Sequence, residues 1–304
     1  MTCCGNPFQL LKARIPNAVM RADEPLSRHT TLRVGGCADV YVEPSSEEEL
    51  RAVLESCGNE GIPWLLVGRG SNLLVRDGGI RGAVICLAHP SFSAINVEIP
   101  ELRCGAGARL KAIATKARQL GLGGLEFFDG IPGSVGGAIR MNAGAMGSAT
   151  FEIVTKVRYM NGDGNVVALP AAEIPVEYRS CSLFKTNILL EATFRGRPDS
   201  PAAIANRSKE YNNTRWQSQP KEPSAGCIFK NPSKTVPAGK LIDELGLKGE
   251  RRGGAVVSNV HGNFIVNEGS ATAADVLELI EFIKAKAKAE RGIDLRTEVE
   301  IIGE

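Results

Sequence analysis

Residues 130–147 read GIPGSVGGAIRMNAGAMG, with glycine at 130, 133, 136, 137, 144 and 147 and small residues at most other positions. Glycine costs roughly 0.5–1 kcal/mol relative to alanine inside regular structure. A cluster this dense therefore implies backbone that turns sharply, packs closely or approaches a ligand. The stretch carries no acidic side chain, and Ser134 and Asn142 add side-chain hydrogen bonding where several N–H groups converge. Two readings stand at this point, a tightly packed bend and a ligand cradle.

A second glycine loop lies upstream. Gly68-Arg69-Gly70-Ser71-Asn72 directly follows the apolar run PWLLV. Successive N–H groups in such a turn can converge into an anion nest, and the alternative is a plain turn. The loop fails the dinucleotide fingerprint, which needs a third glycine where Leu73 stands and an acidic residue about twenty positions on. Gly239-Lys240 fails the phosphate-loop pattern because Leu241 follows. Two acid-free glycine loops together are suited to a diphosphate.

Outward from these loops the chain alternates helix and strand. VYV at 40–42 reads as a strand, and EEELRAVLESCGNEG (47–61) as a helix with Leu50, Val53, Leu54 and Cys57 on one face. PWLLVG (63–68) reads as a short buried strand and AVICL (83–87) as another. RLKAIATKARQLG (109–121) places Leu110, Ile113, Ala114, Ala117 and Leu120 at helical spacing, with Gly121 as its C-terminal cap. VTKVRYMNGDGNVVALP (154–170) predicts a hairpin around Asn-Gly-Asp-Gly, and ILLEATF (188–194) a further strand. Gly196 and Pro198 close that strand, and Ser200-Pro201 read as an N-cap and first helical residue. The remainder has a glycine-rich patch (LKGERRGG), a strand pair around VSNVHGNFIVN, and a helix from Thr272, with Asp275 in capping-box position, to Gly292. The expected division is 1–87, 88–198 and 199–304.

Composition narrows the function classes. The 304 residues are 43% hydrophobic and 23% charged with a net charge of +2, as in an ordinary globular protein. No apolar run reaches the roughly eighteen residues of a membrane span. The first residues, MTCCGNPFQLLKARIPNAVMRADEPLS, spread their charges and lack the apolar block of a secretion signal, so a cytoplasmic location is expected. Cysteines at 3, 4, 37, 57, 86, 104, 181 and 227 show no Cys-x-x-Cys spacing. That argues against zinc or a disulfide scaffold, and no metal site is expected. With no basic tract, nucleic acid is not an expected partner.

VGRGSNLLVRDGGIRG and GIPGSVGGAIRMNAGAMG, in this order and separation, resemble the flavin-binding half of the UDP-N-acetylenolpyruvoylglucosamine reductases. RHTTLRVGGCADVYVEP resembles that family's opening, EYRSCSLFK its tyrosine-arginine motif, and SAGCIFKNP its proton-donor motif. HGNFIVN and RTEVEIIG resemble its C-terminal signatures, so the likeness runs from about residue 28 to the end. The resemblance implies an α+β fold, with a two-lobed flavin-binding region of the vanillyl-alcohol-oxidase/PCMH type (1–87 and 88–198) and a C-terminal α+β substrate-binding domain (199–304). The interval between ILLEATF and SAGCIFKNP is short, as in the family's shorter type, which lacks an inserted segment that covers the substrate.

The resemblance also implies chemistry. A non-covalently bound FAD takes hydride from NADPH and passes it to the vinyl carbon of a UDP-linked enolpyruvyl amino sugar, in a cleft the two substrates share. The product is UDP-N-acetylmuramate, a peptidoglycan precursor. Carried over by position, FAD contacts fall on Gly68, Arg69, Gly70, Ser71, Asn72 and Leu73, and on Gly130, Ile131, Pro132, Gly133, Ser134, Gly136, Gly137, Ala138, Asn142, Gly144 and Ala145. Arg179 matches the arginine that steadies the substrate carboxylate and the enolate, a task suited to a permanent charge with a fork of donors. Glu298 matches an acidic residue beside the same carbon; by pattern alone it is a solvated strand residue like Glu300. Cys227 stands where many members have a serine proton donor. A thiol with a pKa near about 8.5 is mostly protonated at neutral pH and can donate, and the alternative is an inert buried thiol. Tyr178, Lys230, Asn231, Lys240 and His261 are the expected substrate contacts. On the bare residues two other classes stay open: a flavin oxidoreductase with a different substrate, and a nucleotide-binding regulator whose cysteine senses oxidation.

Overall fold

The computed structural model describes residues 6–233 and 235–304, so Cys3, Cys4 and the start of the N-terminal segment lie outside the described residues. The chain divides into two compact units. The first is built from the residues up to Ala22, Asp39–Arg69 and Gly82–Thr214, and the second from Asp23–Ala38, Gly70–Arg81 and Arg215–Glu304. Each has its own apolar core.

In the first unit an antiparallel sheet runs in the order Val166–Pro170, Val154–Met160, Ile188–Arg195, Glu101–Gly105, Ile95–Glu98. The expected hairpin is there, in register Met160↔Val166. Asn161 closes it, its Oδ1 accepting from the backbone N–H groups of Asp163 and Asn165 at 3.1 and 2.8 Å, while Gly164 supplies the φ of +79°. Phe128 meets Phe194 edge-on at 5.2 Å in the core behind this sheet. The helix Glu47–Glu60 buries Leu50, Val53, Leu54 and Cys57, the face read from spacing, with Ser46 as N-cap and Gly61 left-handed at its end. Leu110–Gln119 buries Leu110, Ile113, Ala114 and Ala117, and Gly121 turns the chain at φ +67°.

One expectation is corrected. Trp64–Val67 is a strand, but only Val67 is buried. It lies at the edge of a four-stranded sheet ordered Val19–Pro25, Cys37–Glu43, Ile80–Cys86, Trp64–Val67, and an edge strand has a single neighbour to cover it. A second finding was hidden by composition. Val135–Arg140 forms a short helix inside the glycine stretch, with Gly136 and Gly137 in its body.

The second unit carries a sheet in the order Ser224–Cys227, Phe264–Asn267, Ala255–Val257, Arg251–Arg252. Against it the helix Ala273–Arg291 buries Val276, Leu279, Ile280, Ile283 and Ala287. The expected capping box is complete: Thr272 accepts from the Asp275 N–H, the Asp275 carboxylate accepts from the Thr272 N–H, and Gly292 ends the helix at φ +67°. The carboxylate of Asp77 takes two more N–H groups that the first helical turn leaves open, those of Ala273 and Ala274, each at 2.9 Å. Beside this loop Leu73–Val75 pairs in parallel with Glu300–Ile302, near the end of the chain. Among the described residues no helix is long and apolar enough to cross a membrane.

Asp77→Ala leaves those two N–H groups to water and removes a negative charge from the positive end of the helix dipole. It should lower the urea midpoint by the equivalent of about 1–2 kcal/mol, with Asp77→Asn recovering part. A midpoint unchanged in Asp77→Ala would show that the bond pair adds nothing to stability.

Candidate active site

Within the first unit, Gly68 of the first glycine loop lies against the second loop. A Cβ built on Gly68 would stand 3.2 Å from Ser134 Oγ. The second loop is held by the preceding chain: Val135 N–H donates to Ala108 O at 3.0 Å, Gly136 N–H to Ala106 O at 2.8 Å, and Arg109 bridges Ser134. Two kinds of glycine are present. A Cβ on Gly144 would fall 2.5 Å from Ser148 O, and at Gly70, within the second unit, 2.0 Å from His29 O, so both are demanded by the protein's own packing. Around Gly130 and Gly137 a Cβ would meet nothing within 4 Å, and neither has a positive φ. Neither the fold's packing nor its backbone geometry calls for glycine there, and the space beside each is open. Asp129, just before the stretch, has a buried Oδ1 with no hydrogen-bond partner among the described residues, while its Oδ2 accepts from Asn212 Nδ2 at 2.7 Å. A buried acceptor in that state lacks a donor, and no sequence pattern marked it.

Arg179 belongs to the same neighbourhood. Glu177 and Ser180 exchange backbone bonds at 2.9 and 3.3 Å, which leaves Tyr178 and Arg179 at the tip of a tight turn. Arg179 sits at φ +57°, a left-handed conformation that is uncommon for a residue with a Cβ. Its Nη2 donates to Gly144 O at 3.0 Å, and its guanidinium lies 5.1 Å from the ring centre of Tyr178. Asn142 ties the turn to the glycine stretch, its Nδ2 donating to Glu177 O at 3.2 Å and its Oδ1 accepting from Phe151 N–H at 3.2 Å. Both ends of the Asn142 amide therefore serve the scaffold. Tyr178 is 56% exposed, so its ring is available on one side.

In the second unit, backbone register brings the other expected residues together. The Ile228 carbonyl accepts from the N–H groups of Glu298 and Val299 at 2.8 and 3.4 Å, and Lys230 N–H donates to Arg296 O at 2.9 Å. Cys227 thus sits one residue before the carbonyl that holds Glu298. Gly226, at φ +76°, lies at the register shift within the strand Ser224–Cys227. Asn72, from the first glycine loop, donates through Nδ2 to Glu298 O at 3.1 Å and accepts from Glu300 N–H at 3.0 Å. Glu298 is not the strand residue its pattern suggested. It lies in a bend before Glu300–Ile302, and those contacts fix its backbone, so it and Glu300 are not equivalent.

The remaining expected contacts have other partners. Asn231 Oδ1 accepts from Ala238 N–H at 3.0 Å at the start of the helix Ala238–Glu244. On that helix the 73% exposed Lys240 side chain lies 3.6 Å from Glu244. His261 Nδ1 accepts from Asn263 N–H at 3.1 Å, and its ring packs edge-on against Phe264 at 4.9 Å. Burial, then the charge of Lys248, pushes its pKa below the ordinary histidine value, so the ring is held neutral.

Two family profiles match this chain. One described as FAD binding domain covers residues 38–170, and one described as UDP-N-acetylenolpyruvoylglucosamine reductase, C-terminal domain covers 219–302. A UDP-N-acetylenolpyruvoylglucosamine reductase of Clostridium botulinum strain 657 is 44% identical over 93% of this chain and 92% of its own length. One of Pelobacter propionicus is 45% identical over 94% and 96%. The crystal structure of a UDP-N-acetylenolpyruvylglucosamine reductase from Thermus caldophilus superposes with a TM-score of 0.81 at 35% identity, covering 94% of this chain and 99% of that one. The open sides of Gly130 and Gly137 and the unmet Oδ1 of Asp129, all inside the span matched as FAD-binding, fit a bound dinucleotide. The chain is an FAD-dependent oxidoreductase of α+β fold, and it belongs to the UDP-N-acetylenolpyruvoylglucosamine reductase family.

Proposed function

We propose that this chain reduces the enolpyruvyl ether of a UDP-linked amino sugar, UDP-N-acetylenolpyruvoylglucosamine, to UDP-N-acetylmuramate at the expense of NADPH, in the cytoplasm. The observation that carries the reading is that the Ile228 carbonyl, next in the chain after Cys227, holds the backbone of Glu298. It brings the candidate donor and the acidic residue onto neighbouring backbone that Asn72 braces from the glycine loop.

FAD, when bound, supplies the hydride that it takes from NADPH and delivers to the vinyl carbon. The backbones of Gly68–Leu73 and of the stretch from Gly130 to Ala145 cradle the cofactor, with Gly130 and Gly137 leaving the room it needs. Hydride addition drives negative charge onto the neighbouring carbon and its carboxylate. Arg179, anchored by Gly144 and Tyr178, meets that charge with a preorganised cation, which costs no reorganisation at the moment of reaction. The S–H of Cys227 then gives its proton to that carbon, a new C–H bond replaces the S–H bond, and the thiolate recovers a proton from solvent. Glu298 holds the substrate side of this proton transfer. Tyr178, Lys230 and Asn231 lie beside the sugar nucleotide, with Lys240 and His261 in outer positions. Residues 1–87 and 88–198 form the flavin lobes and 199–304 the substrate domain in this reading.

Under anaerobic conditions NADPH should bleach the flavin absorbance, and UDP-N-acetylenolpyruvoylglucosamine should restore it. Cys227→Ala should leave bleaching fast and slow the recovery by about 10²-fold or more, the range for loss of a positioned acid, while Cys227→Ser keeps substantial turnover. Equal slowing of both half-reactions would remove Cys227 from the proton-transfer step.

Gly137→Ala separates packing from cofactor room. A methyl group there meets no protein atom and favours the helix, so the flavin-free protein should be as stable as the parent or slightly more so. The purified variant should nevertheless hold less flavin, read as the ratio of visible to ultraviolet absorbance. Full flavin content in that variant would mean the open side of Gly137 is not where the cofactor lies.

A further inference from the structure

Several surface arginines of the first unit are tied to carboxylates. Arg158 binds Glu47, Arg195 binds Glu101, and Arg207 binds Glu126 and Asp199. Arg69 and Arg109 have no ion-pair partner among the described residues, and the principal charge acting on Arg69 is that of Arg109. Burial and that like charge both pull the Arg69 guanidinium below its usual pKa.

The backbone brings the two residues into one neighbourhood. Arg109 forms an antiparallel bridge with Ser134, and Leu110 N–H donates to Gly133 O at 3.4 Å. The Ser134 hydroxyl in turn lies beside Gly68, the residue before Arg69. Arg69 enters from the first glycine loop and Arg109 from the chain that braces the second. The Arg109 side chain takes no part in that bracing, since the bridge and the cap are made by backbone. Two like charges carried on neighbouring backbone repel, and a doubly charged anion between them would remove that repulsion. A planar fork of N–H donors matches phosphate oxygens in particular.

We propose that Arg69 and Arg109 form a two-arginine clamp on the diphosphate of FAD, with Arg109 a cofactor-binding residue supplied from outside both glycine loops. This rests on the FAD reading of those loops. The clamp adds a salt-sensitive component to flavin retention that backbone N–H groups alone would not give, because screening weakens partly exposed ion pairs.

The test uses purified holoenzyme diluted serially at several potassium chloride concentrations, with released FAD read by its fluorescence. The parent protein should release flavin more readily as salt rises. Arg109→Ala should raise the FAD dissociation constant about tenfold or more at low salt, as expected for one lost charge-assisted hydrogen bond, and should flatten the salt dependence. Arg109→Lys, which keeps the charge but not the fork, should fall between. With flavin in saturating excess, the KM for NADPH should not change. Parent-like FAD retention in Arg109→Ala overturns the proposal. So does a raised KM for NADPH with retention intact, which would assign the clamp to a phosphate of the reductant. A parent protein that held no FAD at all would bring down the underlying cofactor reading and this clamp with it.

Discussion

No side chain fits between Gly144 and the carbonyl of Ser148, and the position of Arg179 follows from that exclusion. The guanidinium donates to the Gly144 carbonyl, so the residue type at 144 fixes where the cation stands. Asn142 repeats the arrangement two residues earlier by holding Glu177. A left-handed arginine carries a steric cost, and here it persists because the turn, the amide and the carbonyl constrain it together. A cation is thus fixed in place by backbone geometry in a segment rich in glycine.

The second unit reaches rigidity by other means. Its candidate residues sit on a backbone pinned by long-range polar contacts: Asn72 to Glu298 and Glu300, Asp77 to Ala273 and Ala274, and Asn263 to Phe229 in both directions. Asn267 adds a bond to Leu32. Each is a short polar side chain placed where an N–H or a carbonyl would otherwise be unmet. Charge–charge pairs play the smaller part here, and most lie on the surface, where they contribute little.

How much of this was legible depended on sequence distance. The helix Glu47–Glu60, the Thr272–Asp275 capping box and the hairpin closed by Asn161 are local patterns, and each was readable from residues within one or two turns of one another. The helix Val135–Arg140 was not, because adjacent glycines at 136 and 137 disfavour helix and only tertiary hydrogen bonds to Ala106 and Ala108 hold it. Glu298 and Glu300 looked alike because alternation assumes a continuous strand, and the bend at 298 is imposed by Ile228 and Asn72, far away in sequence. The motif pattern singled out Cys227 and Arg179 as candidates. What it could not supply was the Gly144 anchor, the unmet oxygen of Asp129 or the approach of the Arg109 backbone to Ser134, since each depends on distant chain segments meeting.

The parallel pairing of Leu73–Val75 with Glu300–Ile302 bears on how the chain comes off the ribosome. All the buried residues of the first core lie before residue 195, so that unit can collapse while the C-terminal third is still being made. The second core cannot. Leu32, Val34 and Leu74 are synthesised early and must wait for partners between Ala225 and Val299, some 150 or more residues later, before their apolar surface is covered. During that interval the segments Asp23–Ala38 and Gly70–Arg81 are tethered to a folding unit yet lack a core of their own. They are the stretches most exposed to a chaperone, or to a neighbouring chain, until those partners have been made.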